Sequence, residues 1–248
     1  MVVSKKANGL VWFFSPTDRD RLIWRLLHAA PRRLMIYLHE RQEKTKKWMG
    51  PRPGFPKPDL SSNMRHMMME YFVARQLPYW LAKDNGWYPA YYKDAARIII
   101  PCSNSTGVSY FQARDMTGKA KLRYASPPTS RQDSIVIVWP VVGIMVKGTV
   151  IVEGPMDALA AAEFNYIGIA LMGNDPPDIV IERIVATVKD KFEPVIVIPD
   201  LDHLEMGAAV VGALTMERIK CEVRLFATSG GKDLADMTPH QRQEVLCV

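Results

Sequence analysis

The sequence predicts an α/β protein whose last hundred residues, 148–248, form a parallel sheet covered by helices on both faces. A mixed α+β stretch over residues 59–147 precedes it, and a basic helical segment with a proline-rich end occupies residues 1–58. Three observations carry this reading. Apolar strand-like runs alternate with helix-like stretches after Gly148. Apolar runs between residues 96 and 125 are separated only by short turns, which antiparallel hairpins require. The charge is also divided: residues 1–134 hold 23 Lys+Arg against 10 Asp+Glu, a balance of +13, and residues 135–248 hold 9 against 16, a balance of −7.

In the first segment, residues 18–38 carry Leu22, Ile23, Leu26, Leu27, Leu34, Ile36 and Leu38 at helix-like spacing, so the whole stretch from Val2 to Met49 reads as helical. The four prolines and two glycines of residues 49–58 cannot continue a helix and mark a linker. The basic group Arg32, Arg33, Arg41, Lys44, Lys46 and Lys47, with Trp48, suits single-stranded DNA, a partner surface, or a merely solvated helix face.

Beyond the linker, Ser61-Ser-Asn63 can cap a helix over residues 64–75, with a second short helix over 78–85. Strands are expected over residues 96–101, 108–114 and 120–125, joined by turns at 104–107 and 115–118. In the acidic part, strands are expected at 149–153, 166–171, 194–199 and 222–227, and helices at 156–163, 179–191 and 207–219. The longest apolar run, residues 135–146, is broken by Pro140 and far shorter than the roughly 20 residues of a membrane span. No secretory signal is read at the N-terminus, and Cys102, Cys221 and Cys247 show no paired spacing. These features suggest an intracellular, cytoplasmic protein without zinc.

The carboxylates fall at strand ends. Glu153 ends the first strand of the acidic part, Asp157 lies in the following helix's first turn, and Asp200 and Asp202 end the third strand. Lys232 and Asp233 follow the fourth. In a parallel α/β sheet these ends share one edge, where ligands bind. Two carboxylates within ~5 Å repel by about 3 kcal/mol at an effective dielectric near 20, so gathering them calls for a cation. Singly, each acid reads as a helix-dipole, turn or strand-end residue; together they read as a Mg²⁺ or Mn²⁺ site that handles phosphates.

Val150-Ile-Val-Glu-Gly-Pro-Met-Asp-Ala-Leu159 resembles the E-G-x-x-D-A motif of Toprim domains, a Rossmann-like parallel fold. Val195-Ile-Val-Ile-Pro-Asp-Leu-Asp202 resembles that family's D-x-D, and Gly230-Gly-Lys-Asp-Leu-Ala-Asp236 its later G-K-D segment. The order and spacings fit, with 47 residues from Glu153 to Asp200 and 33 more to Asp233. Upstream, the stretch from Arg97 to Arg114 and Lys121-Leu-Arg-Tyr-Ala-Ser-Pro127 resemble the basic segments of DnaG-type bacterial and phage primases, although the asparagine of the family's K-Y-x-N-S-P is absent. The Tyr71–Leu81 region is similar to the helices preceding them.

The resemblance covers residues 62–240 and implies a DNA primase, a nucleotidyltransferase that makes short RNA primers on single-stranded DNA from nucleoside triphosphates. It implies that Glu153, Asp157 and Lys232 are catalytic and that Glu153, Asp200, Asp202 and Asp233 hold Mg²⁺ or Mn²⁺. It further implies that Arg97, Arg114, Lys121 and Arg123 grip nucleic acid or nucleotide. Neither a zinc ribbon nor a G-x-x-x-x-G-K-[ST] motif occurs, so a replicative helicase or a separate template-recognition protein is the expected partner, in a host cytoplasm if the source is a phage. A Toprim nuclease and a non-catalytic DNA-binding module of a replication complex are the alternatives.

Overall fold

The computed structural model describes residues 2–7, 10–14, 54–93, 95–173, 175–189, 194–200, 202, 204–225 and 233–247. The chain divides into two units, Met1–Met49 and Gly50–Val248, with the border at the head of the proline-rich stretch.

In the first unit the helical expectation is corrected where it can be compared. Val2–Ala7 (β1) and Leu10–Phe14 (β2) pair antiparallel, with Val2 opposite Phe14 and Ala7 opposite Leu10. The reason is local: both runs are rich in β-branched and aromatic residues, and Asn8-Gly9 between them is the strongest two-residue hairpin signal. The expected helix over 18–38 and the basic group from Arg32 to Trp48 lie outside the described residues.

The second unit opens with α1 (Ser62–Ala74). Ser61 caps it, its hydroxyl accepting from the Met64 N–H at 3.3 Å, and Met64, Met68 and Phe72 bury one stripe at four-residue spacing. After α2 (Tyr79–Asp84) comes an antiparallel sheet in the order β3 (Tyr88–Tyr92), β4 (Ala95–Asn104), β5 (Gly107–Asp115) and β6 (Tyr124–Ala125). β3 was not among the expected strands; it holds Pro89 at the sheet's edge, where a proline is tolerated as it would not be in a central strand.

The second sheet is built from β7 (Val136–Val138), β8 (Gly148–Val152), β9 (Tyr166–Ala170), β10 (Val195–Ile198) and β11 (Cys221–Val223), in the spatial order β11-β10-β8-β9-β7. The last four strands in the chain are mutually parallel, and β7 joins antiparallel at the edge. Their connections are α3 (Pro155–Glu163), α4 (Asp178–Val188) and α5 (Leu204–Met216); a 3₁₀ turn at Leu234–Asp236 and α6 (Pro239–Leu246) close the chain. Strand period two divides the apolar residues between the faces. Val150, Val152, Ile196 and Ile198 pack toward α3, α1 and the antiparallel sheet, while Ile151, Val195 and Val197 pack with residues of α4 and α5.

The two sheets share one core, and β7, which precedes residue 147, joins the second sheet by pairing with β9. Ser103 and Ile135 exchange backbone hydrogen bonds of 2.8 and 2.9 Å between them. α3 lies so close to β9 that a Cβ on Gly168 would stand 2.1 Å from the Ala158 carbonyl oxygen. Leu159, on the same helix, is fully buried, and truncating such a side chain to alanine costs about 2–5 kcal/mol. α3, which carries Asp157, is thereby held rigidly against the sheet.

Candidate active site at the carboxyl edge of the parallel sheet

β8 delivers Glu153 to the strand-end edge, and β10 delivers Asp200 and the exposed Asp202 beside it. Between Glu153 and α3 stands Gly154, whose missing side chain is structural: a Cβ there would lie 2.6 Å from Asp157 Oδ2. Asp157 is only 5 % exposed and accepts a 2.8 Å hydrogen bond from the Ala235 N–H. Asp233 caps the 3₁₀ turn by accepting from the Asp236 N–H at 2.8 Å, so Asp157 anchors the turn that presents Asp233.

The electrostatics show that these acids feel one another. Burial first, then the charges of Glu153, Asp233 and Asp202, push the Asp200 carboxyl up to about 7, and Asp200 shares a hydrogen bond with Glu153. Burial, followed by Asp233 and then Asp200, pushes Asp157 well above the usual carboxylate range, against the opposing Ala235 N–H. Every donor is a carboxylate oxygen, the ligand type that Mg²⁺ and Mn²⁺ take, and the repulsion that lifts Asp200 is what a divalent cation relieves. Among the described residues no three Asp, Glu, His or Cys side chains are disposed to cage one ion. Mg²⁺ is ordinarily held by one or two carboxylates together with waters and phosphate oxygens, so the set fits an ion shared with a phosphate ligand.

A second group of side chains stands behind Asp157. Arg114, on β5, is 5 % exposed and lies 4.8 Å from the Tyr124 ring centroid and 5.8 Å from that of Tyr71. Its Nε and Nη1 are buried without hydrogen-bond partners, as is the Tyr71 hydroxyl oxygen. Arg75, one helical turn beyond Tyr71, lies 5.9 Å from the same ring and pairs with Asp236 of the 3₁₀ turn. Arg75, whose Nε is buried without a partner, thus lies within electrostatic reach of Asp233.

Solved structures share this fold. The DnaG primase catalytic domain, in a structure bound to single-stranded DNA, superimposes with a TM-score of 0.56 at 14% identity, covering 83% of this chain and 77% of that one. The chain has the fold of a DnaG primase catalytic domain. Bacteriophage T7 primase domains, in a complex with the lagging-strand DNA polymerase, match with a TM-score of 0.48 at 17% identity over 71% of this chain and 87% of that one. The T7 primase fragment matches at 0.47 and 18% over 66% of each chain. No protein-family profile and no curated protein matches the sequence.

Within this primase fold the expected site residues have separate fates. Glu153, Asp157, Asp200, Asp202 and Asp233 come to one edge, whereas Lys232 lies outside the described residues. Lys121 and Arg123 are exposed on the β5–β6 connection. Arg97 is a correction: it is 2 % exposed, with Nε donating to the Tyr92 carbonyl and Nη1 to the Ala113 and Leu122 carbonyls, all at 3.0 Å. It ties β3, β5 and the following loop together from inside, and burial keeps it from a nucleic-acid surface. Tyr71 and Arg75 were not singled out from the sequence. Their four-residue spacing on α1 was legible, but such a pair on a helix ordinarily reads as surface.

Proposed function

We propose that this chain is the RNA-polymerizing core of a DnaG-type primase, with a Toprim domain over residues 148–248. The observation that carries the reading is the carboxylate cluster at the carboxyl edge of the parallel sheet, where Asp200 is held up to about 7 by burial and by Glu153, Asp233 and Asp202. The three ordered motifs fall on this cluster, and the fold around it is that of a primase catalytic domain.

In the proposed mechanism, single-stranded DNA, which the matching primase domain binds, lies against the exposed Lys121 and Arg123. Arg114, fixed between Tyr71 and Tyr124, offers Nε and Nη1 to a phosphate of template or nucleotide. Glu153, hydrogen-bonded to Asp200, would accept the proton of the attacking nucleotide 3′-hydroxyl as the phosphodiester bond forms and pyrophosphate leaves. Asp157 keeps the Asp233-bearing turn in place. Asp200, Asp202, Asp233 and Glu153 would hold Mg²⁺ or Mn²⁺, which when bound lowers the charge cost of in-line attack on the triphosphate.

The test is primer synthesis: purified protein, single-stranded DNA, the four NTPs with one labelled, and Mg²⁺ or Mn²⁺, beside the Asp200→Ala/Asp202→Ala double variant. Short labelled RNAs from the unaltered protein alone support the reading. Metal-dependent cutting of the DNA without nucleotides makes the protein a nuclease. DNA binding with neither activity makes it a non-catalytic module.

A further inference from the structure

Arg131 belongs to none of the motifs. It lies in the connection between β6 and β7, and its Nη1 donates to the Met172 carbonyl oxygen at 3.1 Å. The Met172 N–H in turn donates to the Glu153 carbonyl oxygen at 2.9 Å. One backbone residue therefore separates this guanidinium from the strand end that presents Glu153.

Two further observations make it more than a strut. Its Nε and Nη2 are buried without hydrogen-bond partners, so two charged donors are unused. Burial lowers its pKa, and the neighbours that act against burial are Tyr110 and Cys102, not a carboxylate. An uncompensated buried guanidinium is costly, and an unused donor of this kind calls for an explanation such as a ligand. The backbone around it is also unusual. Met172 and Gly173 have successive positive φ of 62° and 146°, and the one heavy atom within 4 Å of a Cβ built on Gly173 is Arg131 Nη1, at 3.8 Å. The β9–α4 loop passes beside the guanidinium, and the missing side chain of Gly173 leaves space next to Nη1.

We propose that Arg131 is a phosphate-binding residue of the nucleotide site, its Nε and Nη2 taking two oxygens of one phosphate of the incoming nucleoside triphosphate. This rests on the primase reading. The fork geometry of a guanidinium matches two oxygens of a phosphate. The position favours nucleotide over template, because Arg131 is tied to the strand-end edge, where small ligands bind in sheets of this class, whereas the exposed Lys121 and Arg123 lie on the antiparallel sheet's connection.

The experiment measures ATP binding with Mg²⁺ by calorimetry, and binding of a fluorescent single-stranded DNA oligonucleotide by anisotropy, on the full chain. Variants are Arg131→Gln and Arg131→Lys, the lysine keeping the charge and losing the fork. The expected result is an ATP affinity weakened about 10–100-fold in Arg131→Gln, the range for lost hydrogen bonds to a charged group. In the same variant, DNA affinity changes less than twofold. Arg131→Lys recovers only part of the loss, and adenosine, which lacks phosphates, shows no difference between variants and parent. Unchanged ATP affinity in both variants overturns the inference, and so does a loss confined to DNA. Should Arg131→Gln not fold, the lysine variant decides alone: full ATP affinity in it overturns the bidentate assignment. Primer synthesis run alongside separates the two claims. A parent protein that makes primers, with variants that bind ATP normally, defeats only this inference; a parent that neither binds ATP nor makes primers defeats both.

Discussion

Two carboxyls at the site, Asp200 and Asp157, have pKa values raised in the fold, and the sign of that shift makes a stability prediction. A carboxyl whose folded pKa is raised stabilises the fold while protonated and ceases to do so as pH climbs through the folded value. For Asp200 the loss runs from its ordinary value of 3.8 to about 7. Metal-free protein, in a chelator, therefore melts at a lower temperature at pH 7.5 than at pH 5. Asp200→Asn removes its share of that slope and stabilises the fold at pH 7.5 by about 0.5–2 kcal/mol, as substitutions that relieve functional strain commonly do, so its melting temperature there rises. Thermal melting of both proteins at the two pH values checks this. A second prediction separates the two roles of Asp157. Asp157→Asn can still accept the Ala235 N–H and should fold with little loss, whereas Asp157→Ala leaves that donor unmet and costs about 1–3 kcal/mol, read by urea denaturation.

At the scale of elements, the sequence was most informative where burial is two-sided. β8, β9 and β10 are buried along their whole length, so their apolar runs stood out between helical stretches and their carboxyl ends located the acids. The spatial order β11-β10-β8-β9-β7 was not legible, because apolar runs carry no record of which neighbour they pair with. β3 was not among the expected strands, and the first hairpin was hidden by an amphipathic reading of the residues that follow it. α6 also escaped notice: its sequence is polar, and what docks it is Arg242. That side chain is 0 % exposed, donates to the carbonyls of Leu234, Ala235, Arg75 and Gln76, and pairs with Glu163 at 3.1 Å. It therefore joins α6 to α3, to the α1–α2 turn and to the 3₁₀ turn after Asp233. Removing one member of such a buried pair costs about 3–5 kcal/mol, so Arg242→Ala is expected to lose that much in urea denaturation. The variant should also weaken divalent-metal binding, since the Asp233 turn loses its brace.

Among the described residues, Lys121 and Arg123 of the basic part lie on one sheet's connection, and Glu153 and Asp200 of the acidic part lie at another sheet's strand ends. The net balances of +13 and −7 could not say which basic residues face solvent. Arg97 and Arg123 both sit in the basic tract that resembles the primase segments, yet one is enclosed by three backbone carbonyls and the other is exposed. Burial thus assigns them opposite consequences. Each phosphate contact to single-stranded DNA contributes about 0.7 to the slope of log affinity against log salt. Lys121→Ala/Arg123→Ala should then bind an oligonucleotide more weakly at low salt, with a slope shallower by about 1.4 if each residue makes one contact. Its melting temperature should be unchanged, because neither residue is buried. Arg97→Ala should do the reverse, unfolding at lower denaturant because three carbonyls lose their donors, while whatever remains folded keeps the parent's salt slope. Anisotropy titrations between 50 and 200 mM salt read the slopes, a range chosen for its large electrostatic effect. A changed slope in Arg97→Ala with stability intact would show that the basic surface includes residues that the fold encloses when DNA is absent.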